Sequence, residues 1–586
     1  MQKPIPKITF WKLTKGIRIY CLLSIFTILV EVLMQVFLPD VSKDVINALQ
    51  NNTADINYVL QKGAILIALA LIALLTGILG AYFSNIASTR YAQNIRNAII
   101  KQVNEFSFED IDHFTNGSII NRLNIDVNNV QMSFRFIIGT FIRLPIIFLL
   151  SLTMSFKLSL TLSSIFLVTL PILCSFFVLI WFISFPKFKL MYKQYDLYNQ
   201  KIQENLNSIR TIKSYVTENS EYNKVASLAN TLKDTNIKVN KYLTFNSLLI
   251  NGIIYSSFIT LAIIGTQLYL GQKIQIGTIM AFGSYIWMVS GSLMGIMNVL
   301  SQILMSIPAS KRIKEILNYV PTILDAKDAI KHNVIADIEF KNVSFAYANS
   351  SHQALKNINL RIPANSSFGI IGQTGSGKTT LINLIPRFYS VKDGAILIDG
   401  ININKIQKDN LRQQISVVFQ DSTLFKGTIR ENMLFANPDA TDEQIYQALS
   451  EANIYDYVYG LEDKLDHVVE QRGRNFSGGQ KQRLAIAQSL LKQPKILILD
   501  DSTSALDSKT ENHVKNAVSK LKNCTKIIIA QKISSIKDCD NIILLQDGKI
   551  QIQGNHEYLL KHSKYYNELY QSQQNAGGLD EVDAII

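Results

Sequence analysis

"FGIIGQTGSGKTTL", residues 368–381, decides the fold of the C-terminal half of this 586-residue chain. Phe368, Ile370 and Ile371 read as a short buried strand, and the glycine-rich turn from Gly372 to Gly377 then opens a run free of helix breakers. Gly372, Gly375, Gly377, Lys378 and Thr379 keep the order G-x-x-x-x-G-K-T directly after a strand and before a helix, which is the context a P-loop requires. The chemistry explains each residue type. Glycines let backbone N–H groups face a triphosphate, a helix start favours anions, Lys378 neutralises β- and γ-oxygens, and the Thr379 hydroxyl is suited to Mg²⁺. Around this stretch, "AILIDG" (395–400), "ISVVFQ" (415–420), "KILILD" (495–500) and "KIIIAQ" (526–531) alternate with helical patterns, as in a largely parallel sheet covered by helices.

A second strand, "ILILDDSTSALD" (496–507), delivers two adjacent acids into a polar loop. In a sheet of this kind its C-terminal end lies beside the P-loop, so Asp500 is placed to hold Mg²⁺ with Thr379, and Asp501 stands where a hydrolytic site orients or deprotonates the attacking water. Between the two motifs, "FSGGQKQRLAIAQSLL" (476–491) is a second anion-binding helix start. Ser477, Gly478, Gly479 and Gln480 are suited to a γ-phosphate, and because the chain's own P-loop is complete, the economical reading is that they serve the ATP of another chain.

The N-terminal half has a different texture. The chain is 48% apolar and only 18% charged, yet its formal charge is +13, so apolar and basic residues are segregated. Six apolar stretches, at about 17–38, 65–86, 136–155, 158–183, 245–270 and 278–306, are each long enough to cross a bilayer. Lys3, Lys7, Lys12, Lys15 and Arg18 precede the first, which places both termini in the cytoplasm by the positive-inside bias, and no cleavage pattern follows it. The polar connections 87–135 and 184–244 read as helices that continue beyond the membrane. Cys21, Cys174, Cys524 and Cys539 have neither paired nor metal-ligand spacing and are expected as free thiols.

Taken in order, "GQTGSGKTT", "VVFQDSTLF", "FSGGQ" and "ILILDDSTSALD" resemble the nucleotide-binding domain of an ABC transporter, and with six preceding spans the chain resembles an exporter-type half-transporter. The resemblance implies a multidomain membrane protein: an all-α six-helix transmembrane domain (1–310), a linker (311–334), an α/β P-loop ATPase domain (335–570) and a flexible tail (571–586). It implies ATP and Mg²⁺ as ligands, with Gln373, Thr374, Ser376 and Thr380 completing the phosphate loop. It further implies that Tyr347 stacks on adenine, that Gln420 touches Mg²⁺ and senses the membrane domain, and that Asp507 communicates between the two sites of a dimer. The stretches 113–127 and 204–216 resemble the regions around the exporter's coupling helices.

Three positions depart from the family pattern. Asp501 stands where hydrolytic sites have Glu, Gln531 where they have a switch His, and "VEQRG" (469–473) where exporters have a Gly-Glu-Arg-Gly run. Asp falls roughly 1.5 Å short of Glu, and glutamine donates a hydrogen bond but cannot become an imidazolium. These departures imply the slow-site subunit of a heterodimeric multidrug exporter in the plasma membrane, paired with a second half-transporter that has an intact Glu and His. Its cargo would be an amphipathic small molecule, and no nucleic-acid partner is expected. A homodimeric lipid or peptide exporter and a nucleotide-gated channel or sensor are the alternatives. Within the spans, Glu31 and Arg143 are expected to face a cavity or to pair, and Gly291 and Gly295 to mark close helix packing.

Overall fold

The computed structural model describes residue 10 and residues 12–583, apart from 52, 54, 349, 351 and 503–505. Among the described residues, contacts divide the chain into two units, one formed by residue 10 and residues 12–102 and 117–319, the other by residues 103–116 and 320–583.

Ten helices, α1 to α10, carry the chain from Arg18 to Leu317. In the membrane-type unit these include α1 (Arg18–Gln50), α2 (Ile56–Asn104), α4 (Asn116–Asn121), α5 (Val127–Phe136), α6 (Arg143–Leu158), α7 (Leu160–Asn207), α9 (Glu218–Leu270) and α10 (Ile276–Leu317). Among the described residues, six helical stretches are long and apolar enough to cross a membrane, at the places expected from hydropathy. Several run far past the apolar part. The 49 residues of α2 and the 53 of α9 correspond to roughly 70–80 Å, more than twice the ~30 Å hydrocarbon core. The polar connections are thus helical, with the short helix Ile209–Ser214 breaking the passage from α7 to α9.

Several polar groups in this unit are paired across helices. Glu31 of α1 and Arg143 of α6 meet at 2.7 Å, and Arg143 also donates to Gln35 at 3.3 Å, which satisfies charges that are costly at membrane depth. Fully buried Tyr285 of α10 donates to the Val36 carbonyl of α1 at 3.0 Å, one turn before the interior Pro39. The third span contains two π-helical turns, Arg122–Asp126 and Ile137–Phe141, and the first is fastened to α10 by Arg312 donating to Asp126 and by Arg122 paired with Glu315. Of the two glycines expected at close contacts, a Cβ on Gly295 would lie 2.8 Å from Leu144, whereas one on Gly291 would meet nothing within 4 Å.

Among the described residues the ATPase unit has two large sheets and a two-stranded pair, Gly427–Thr428 with Val468–Val469. Six strands lie in the spatial order Lys549–Gly554, Asn541–Gln546, Ser367–Ile371, Thr525–Ile529, Ile496–Asp500 and Ile415–Val418. Every pairing in it is parallel except the first. The second, antiparallel sheet orders Leu355–Ile362, Ile338–Phe345, Asp393–Ile398 and Ile401–Asn402. "AILIDG", expected in the parallel sheet, belongs to this one instead. Asp399 and Gly400 both have positive φ, at 54° and 77°, and an Asp-Gly pair of that geometry closes a two-residue hairpin rather than opening a helical crossover. At the C-terminus, where a loosely ordered tail is expected from 571, helix Lys564–Asp583 continues through that stretch.

One short helix of the first half belongs to this second unit. α3 (Phe108–Phe114) starts with a capping box between Ser107 and Asp110, and the fully buried Asp110 carboxylate also accepts from Thr322 N–H and Oγ1, the latter at 3.0 Å. Phe108 stacks on Phe388 at 4.4 Å, and Tyr389 donates to Asp112 at 2.9 Å. The chain division expected near 311–334 therefore omits a segment that packs with the ATPase unit.

Gly277 tests the packing of α10 on α1. A Cβ there would lie 2.5 Å from both Lys43 O and Asn47 Oδ1, and Asn47 already accepts from the Gly277 N–H at 2.8 Å. Gly277→Ala is expected to destabilise the membrane unit by roughly 1–3 kcal/mol, measured as a fall in apparent melting temperature in detergent; an unchanged value would show that α10 yields at this point.

Candidate functional site

The site lies at the C-terminal edge of three adjacent strands. Parallel register aligns Ile370 with Ile529, and Ile529 with Asp500, so the loops that follow these residues emerge at one level.

After Ile371 the P-loop turns sharply. Gly375 and Gly377 have φ of 81° and 102°, the left-handed region that glycine enters at little cost. A Cβ on Gly372 would sit 2.0 Å from the Leu545 carbonyl and one on Gly377 2.6 Å from that of Ala354, so neighbouring backbone forbids a side chain at either. Lys378 donates to the Gly372 and Gln373 carbonyls at 2.8 Å each. Burial holds its ammonium below the usual lysine range, with Asp500 and Asp501 opposing. Gln373, Thr374 and Gly375 are exposed, and the buried Ser376 Oγ has no hydrogen-bond partner among the described residues.

Thr379 opens the following helix and donates to Asp500 Oδ2 at 3.0 Å. Two hard oxygen donors, a hydroxyl and a buried carboxylate, thus converge at the mouth of the phosphate loop, which suits Mg²⁺ completed by phosphate oxygens and water. No cluster of three His, Cys, Asp or Glu side chains able to hold a metal by themselves occurs among the described residues. The residues present fit a nucleotide-borne Mg²⁺.

Asp501 follows with φ of 47°, a conformation that turns its carboxylate out of the strand direction. Gln531 donates to its Oδ2 at 2.8 Å and Gln420 to the same oxygen at 3.4 Å, while Gln482 reaches its backbone carbonyl at 3.5 Å. Burial raises the Asp501 carboxyl above its ordinary range, and the Gln531 hydrogen bond opposes this. The structure therefore brings together Asp500, Asp501, Gln420, Gln531, Lys378 and Thr379. Gln482, buried on helix Gly478–Leu491, is the participant that sequence reasoning missed, although a glutamine among the apolar positions of a helix is a signal in itself.

Tyr347, the stretch Ser477–Gln480 and Asp507 make no hydrogen bond to this carboxylate pair among the described residues. Tyr347 has its hydroxyl 3.0 Å from Thr380 Oγ1 and its ring edge-on to Phe345 and Tyr389, at 5.0 and 5.2 Å. Ser477 caps helix Gly478–Leu491, with Gln480 N–H donating to its Oγ and Gln480 Oε1 accepting from its N–H in return. Among the described residues no hydrogen bond joins Ser477–Gln480 to the P-loop; Phe476 packs instead into a separate core with Leu424, Ile445 and Leu484. Asp507 caps helix Ser508–Ser519 by accepting from Thr510 N–H at 3.1 Å, and contacts with Thr510 hold its carboxyl below the ordinary range. In "VEQRG", Arg472 has φ of 60° and Gly473 donates to the Glu470 carbonyl at 2.8 Å. The cysteines are all free.

Comparison with known proteins gives two family matches, ABC transporter transmembrane region over residues 17–293 and ABC transporter over 355–504. The chain is 30% identical to the uncharacterized ABC transporter ATP-binding protein YfiB of Bacillus subtilis (strain 168), over 98% of each chain. It is 30% identical to a putative export ATP-binding/permease protein of Rickettsia typhi (strain ATCC VR-144 / Wilmington), covering 84% of this chain and 86% of that one. It is also 28% identical to YgaD of Bacillus subtilis (strain 168), described as a putative multidrug export ATP-binding/permease protein, over 83% and 85%. A solved bacterial Atm1-family ABC exporter with ATP bound shares the fold, with a TM-score of 0.82 at 23% identity, over 95% of this chain and 99% of that one.

Asp500 yields a prediction in which pH and nucleotide act separately. Burial raises its carboxyl above the ordinary range, Asp501 adds to this, and Thr379 and Lys378 oppose it. The folded protein therefore binds this proton more tightly than the unfolded chain, and the stability it contributes is full below the ordinary carboxylate range and lost as pH rises through the raised value. Near neutral pH, Asp500→Asn is expected to raise the apparent melting temperature without nucleotide by roughly 2 °C, a gain that disappears on acidification. The same variant should lose the added stability from ATP with Mg²⁺, which is about 2.7 kcal/mol at a hundredfold excess over Kd. Full nucleotide stabilisation of the variant would remove Asp500 from the metal site.

Proposed function

The chain belongs to the ABC transporter family, with its transmembrane region fused ahead of its ATP-binding domain, and on that footing we propose that it is the slow-site half of a two-chain exporter for amphipathic molecules. The observation that carries this reading is the Asp501 carboxylate, short by one methylene and engaged on one oxygen by the Gln531 amide at 2.8 Å.

A general base works within ~2.6–3.2 Å of the proton it handles, and misplacement by ~1 Å costs on the order of a hundredfold. Asp501 has the right charge with the wrong reach. Gln531 supplies a neutral hydrogen-bond donor where an imidazole would supply both a bond and a proton exchange near neutral pH. The site retains everything needed to hold ATP: the phosphate loop from Gly372 to Thr380, Lys378 for the β- and γ-oxygens, and Thr379, Asp500 and Gln420 for Mg²⁺. When bound, Mg²⁺ draws charge from the phosphate oxygens. ATP is accordingly held and slowly hydrolysed here.

The second half of the proposal rests on helix Gly478–Leu491. Its N-cap is intact, and Ser477 and Gly478 are exposed, so this start is free to complete the ATP site of a partner chain with the full catalytic pair. The names of the Rickettsia and Bacillus relatives, export and multidrug export, favour outward transport. In the plasma membrane, with the ATPase unit and both termini in the cytoplasm, ATP would draw the two ATPase units together. Closure would reach the spans along α3, which is continuous in sequence with α2 and α4. To move such a transporter from 1:99 to 99:1 in favour of the closed state, ATP must contribute about 5.5 kcal/mol of differential affinity.

The test compares this chain purified alone with the chain co-purified with its partner half-transporter. ATP turnover is expected to be low alone and restored in the pair; a lone chain that hydrolyses ATP as fast as the pair overturns the two-chain reading. In a pair whose partner lacks its own Glu, Asp501→Glu is expected to raise turnover by about three- to tenfold, with Gln531 still limiting, since a positioned base contributes ~10²–10⁴ overall.

A further inference from the structure

The loop that carries Gln531 is held from outside the site. Strand Thr525–Ile529 ends at Ala530, whose N–H donates to the Ile370 carbonyl at 3.3 Å, and the chain then passes through Gln531 and Lys532 into the turn Ile533–Ser535. Gln573, on the C-terminal helix Lys564–Asp583, bridges this passage with both ends of one amide. Its Oε1 accepts from Ile533 N–H at 2.8 Å, and its Nε2 donates to the Gln531 carbonyl at 2.9 Å. One side chain thus satisfies two backbone groups of the loop, on either side of Lys532.

The helix that presents Gln573 is itself anchored. Tyr566 is fully buried, and its hydroxyl lies 2.8 Å from His556 Nδ1. Tyr566 and Leu559 share a core with Ile371, Ala530, Ile533 and Ile536, so the same cluster touches the residue before the P-loop and the residues flanking Gln531. Gln531 then carries the constraint inward through its 2.8 Å bond to Asp501.

We propose that Gln573 is a positioning residue for the ATP site: it fixes the peptide of Gln531, and through it the hydrogen bond to Asp501, so that the C-terminal helix sets the rate of hydrolysis at this site without touching nucleotide. Without Gln573, Ala530 remains bonded to Ile370 and Ile533 remains packed, so the loop keeps its course. What is released is rotation of the Gln531 peptide, and side-chain geometry in a reacting site must hold within ~0.5 Å. This inference depends on ATP turnover at the chain's own site and not on pairing with a second chain.

The test uses the full chain in lipid nanodiscs, in its native assembly, with photoreactive azido-ATP crosslinked to this chain. Labelling at limiting concentration reports affinity, and single-turnover conversion of the bound label to the diphosphate reports hydrolysis. Gln573→Ala is expected to leave labelling within about twofold and to slow conversion about tenfold, a loss of the size that sub-ångström misplacement produces. In a Gln531→Ala background, Gln573→Ala should slow conversion no further, because the two residues act as one unit. Gln573→Glu, which keeps the acceptor for Ile533 N–H and loses the donor to the Gln531 carbonyl, should fall between, and it carries the test by the same criteria if the alanine variant fails to fold. Weakened labelling with unchanged conversion, no effect on either, an effect that multiplies in the double variant, or no conversion in the unsubstituted chain each overturns the proposal.

Discussion

Three buried parallel strands in register are the constraint on which the ATP site depends. Ser367–Ile371, Thr525–Ile529 and Ile496–Asp500 lie side by side with Ile370, Ile529 and Asp500 level. The loops that follow them supply, in turn, the glycine-rich phosphate loop, Gln531 and the Asp500–Asp501 pair. A one-residue slip of the Ile496–Asp500 strand would turn Asp500 to the other face of the sheet, separating it from Thr379. The register is kept by aliphatic side chains on both faces, since Ile370, Ile527, Ile529, Ile496 and Ile498 are buried on one and Ile371, Leu497 and Leu499 on the other, and burial of each is worth about 1.5–3 kcal/mol. Packing far from nucleotide thus places the polar groups.

The same site gathers charged groups that are costly to bury. Asp500 and Asp501 are both buried and both held above the ordinary carboxylate range, and Lys378, which would balance them, is turned onto carbonyls of its own loop. Among the described residues, the buried Ser376 Oγ has no hydrogen-bond partner. A triphosphate with Mg²⁺ would be complementary to these groups, bringing positive charge to the acids and anionic oxygens to the loop and its lysine.

In the membrane unit the governing cost is different. Lipid offers no partner for a charge or a free carbonyl, and the helices resolve this among themselves: Glu31 with Arg143, Tyr285 with the Val36 carbonyl, and serine and threonine hydroxyls with carbonyls one turn back, as in Ser155 with Ser151 O. Close approach replaces hydrophobic attraction as the source of specificity. Gly277 against α1 and Gly295 against Leu144 are places where a methyl group already meets another helix.

Much of this was legible in the residues, for a definable reason. The P-loop, the six spans and the helix start at Ser477 are local: each depends on backbone conformations, hydropathy sums or side-chain bonds within a few residues, and composition and spacing suffice to read them. The Asp399–Gly400 hairpin was local too, and its turn residues outweigh the aliphatic run before them. What the sequence by itself determined was therefore the class of fold, the membrane spans and the chemistry of the phosphate loop. Tertiary structure alone decided that Gln531 bonds Asp501, that Gln420 points at the same oxygen, that α3 packs with the ATPase unit through Asp110 and Phe108, and that Gln573 holds the backbone beside Gln531. Each of these joins residues far apart in the chain, and which distant residues meet is set by strand register and helix packing, which are properties of the whole folded unit.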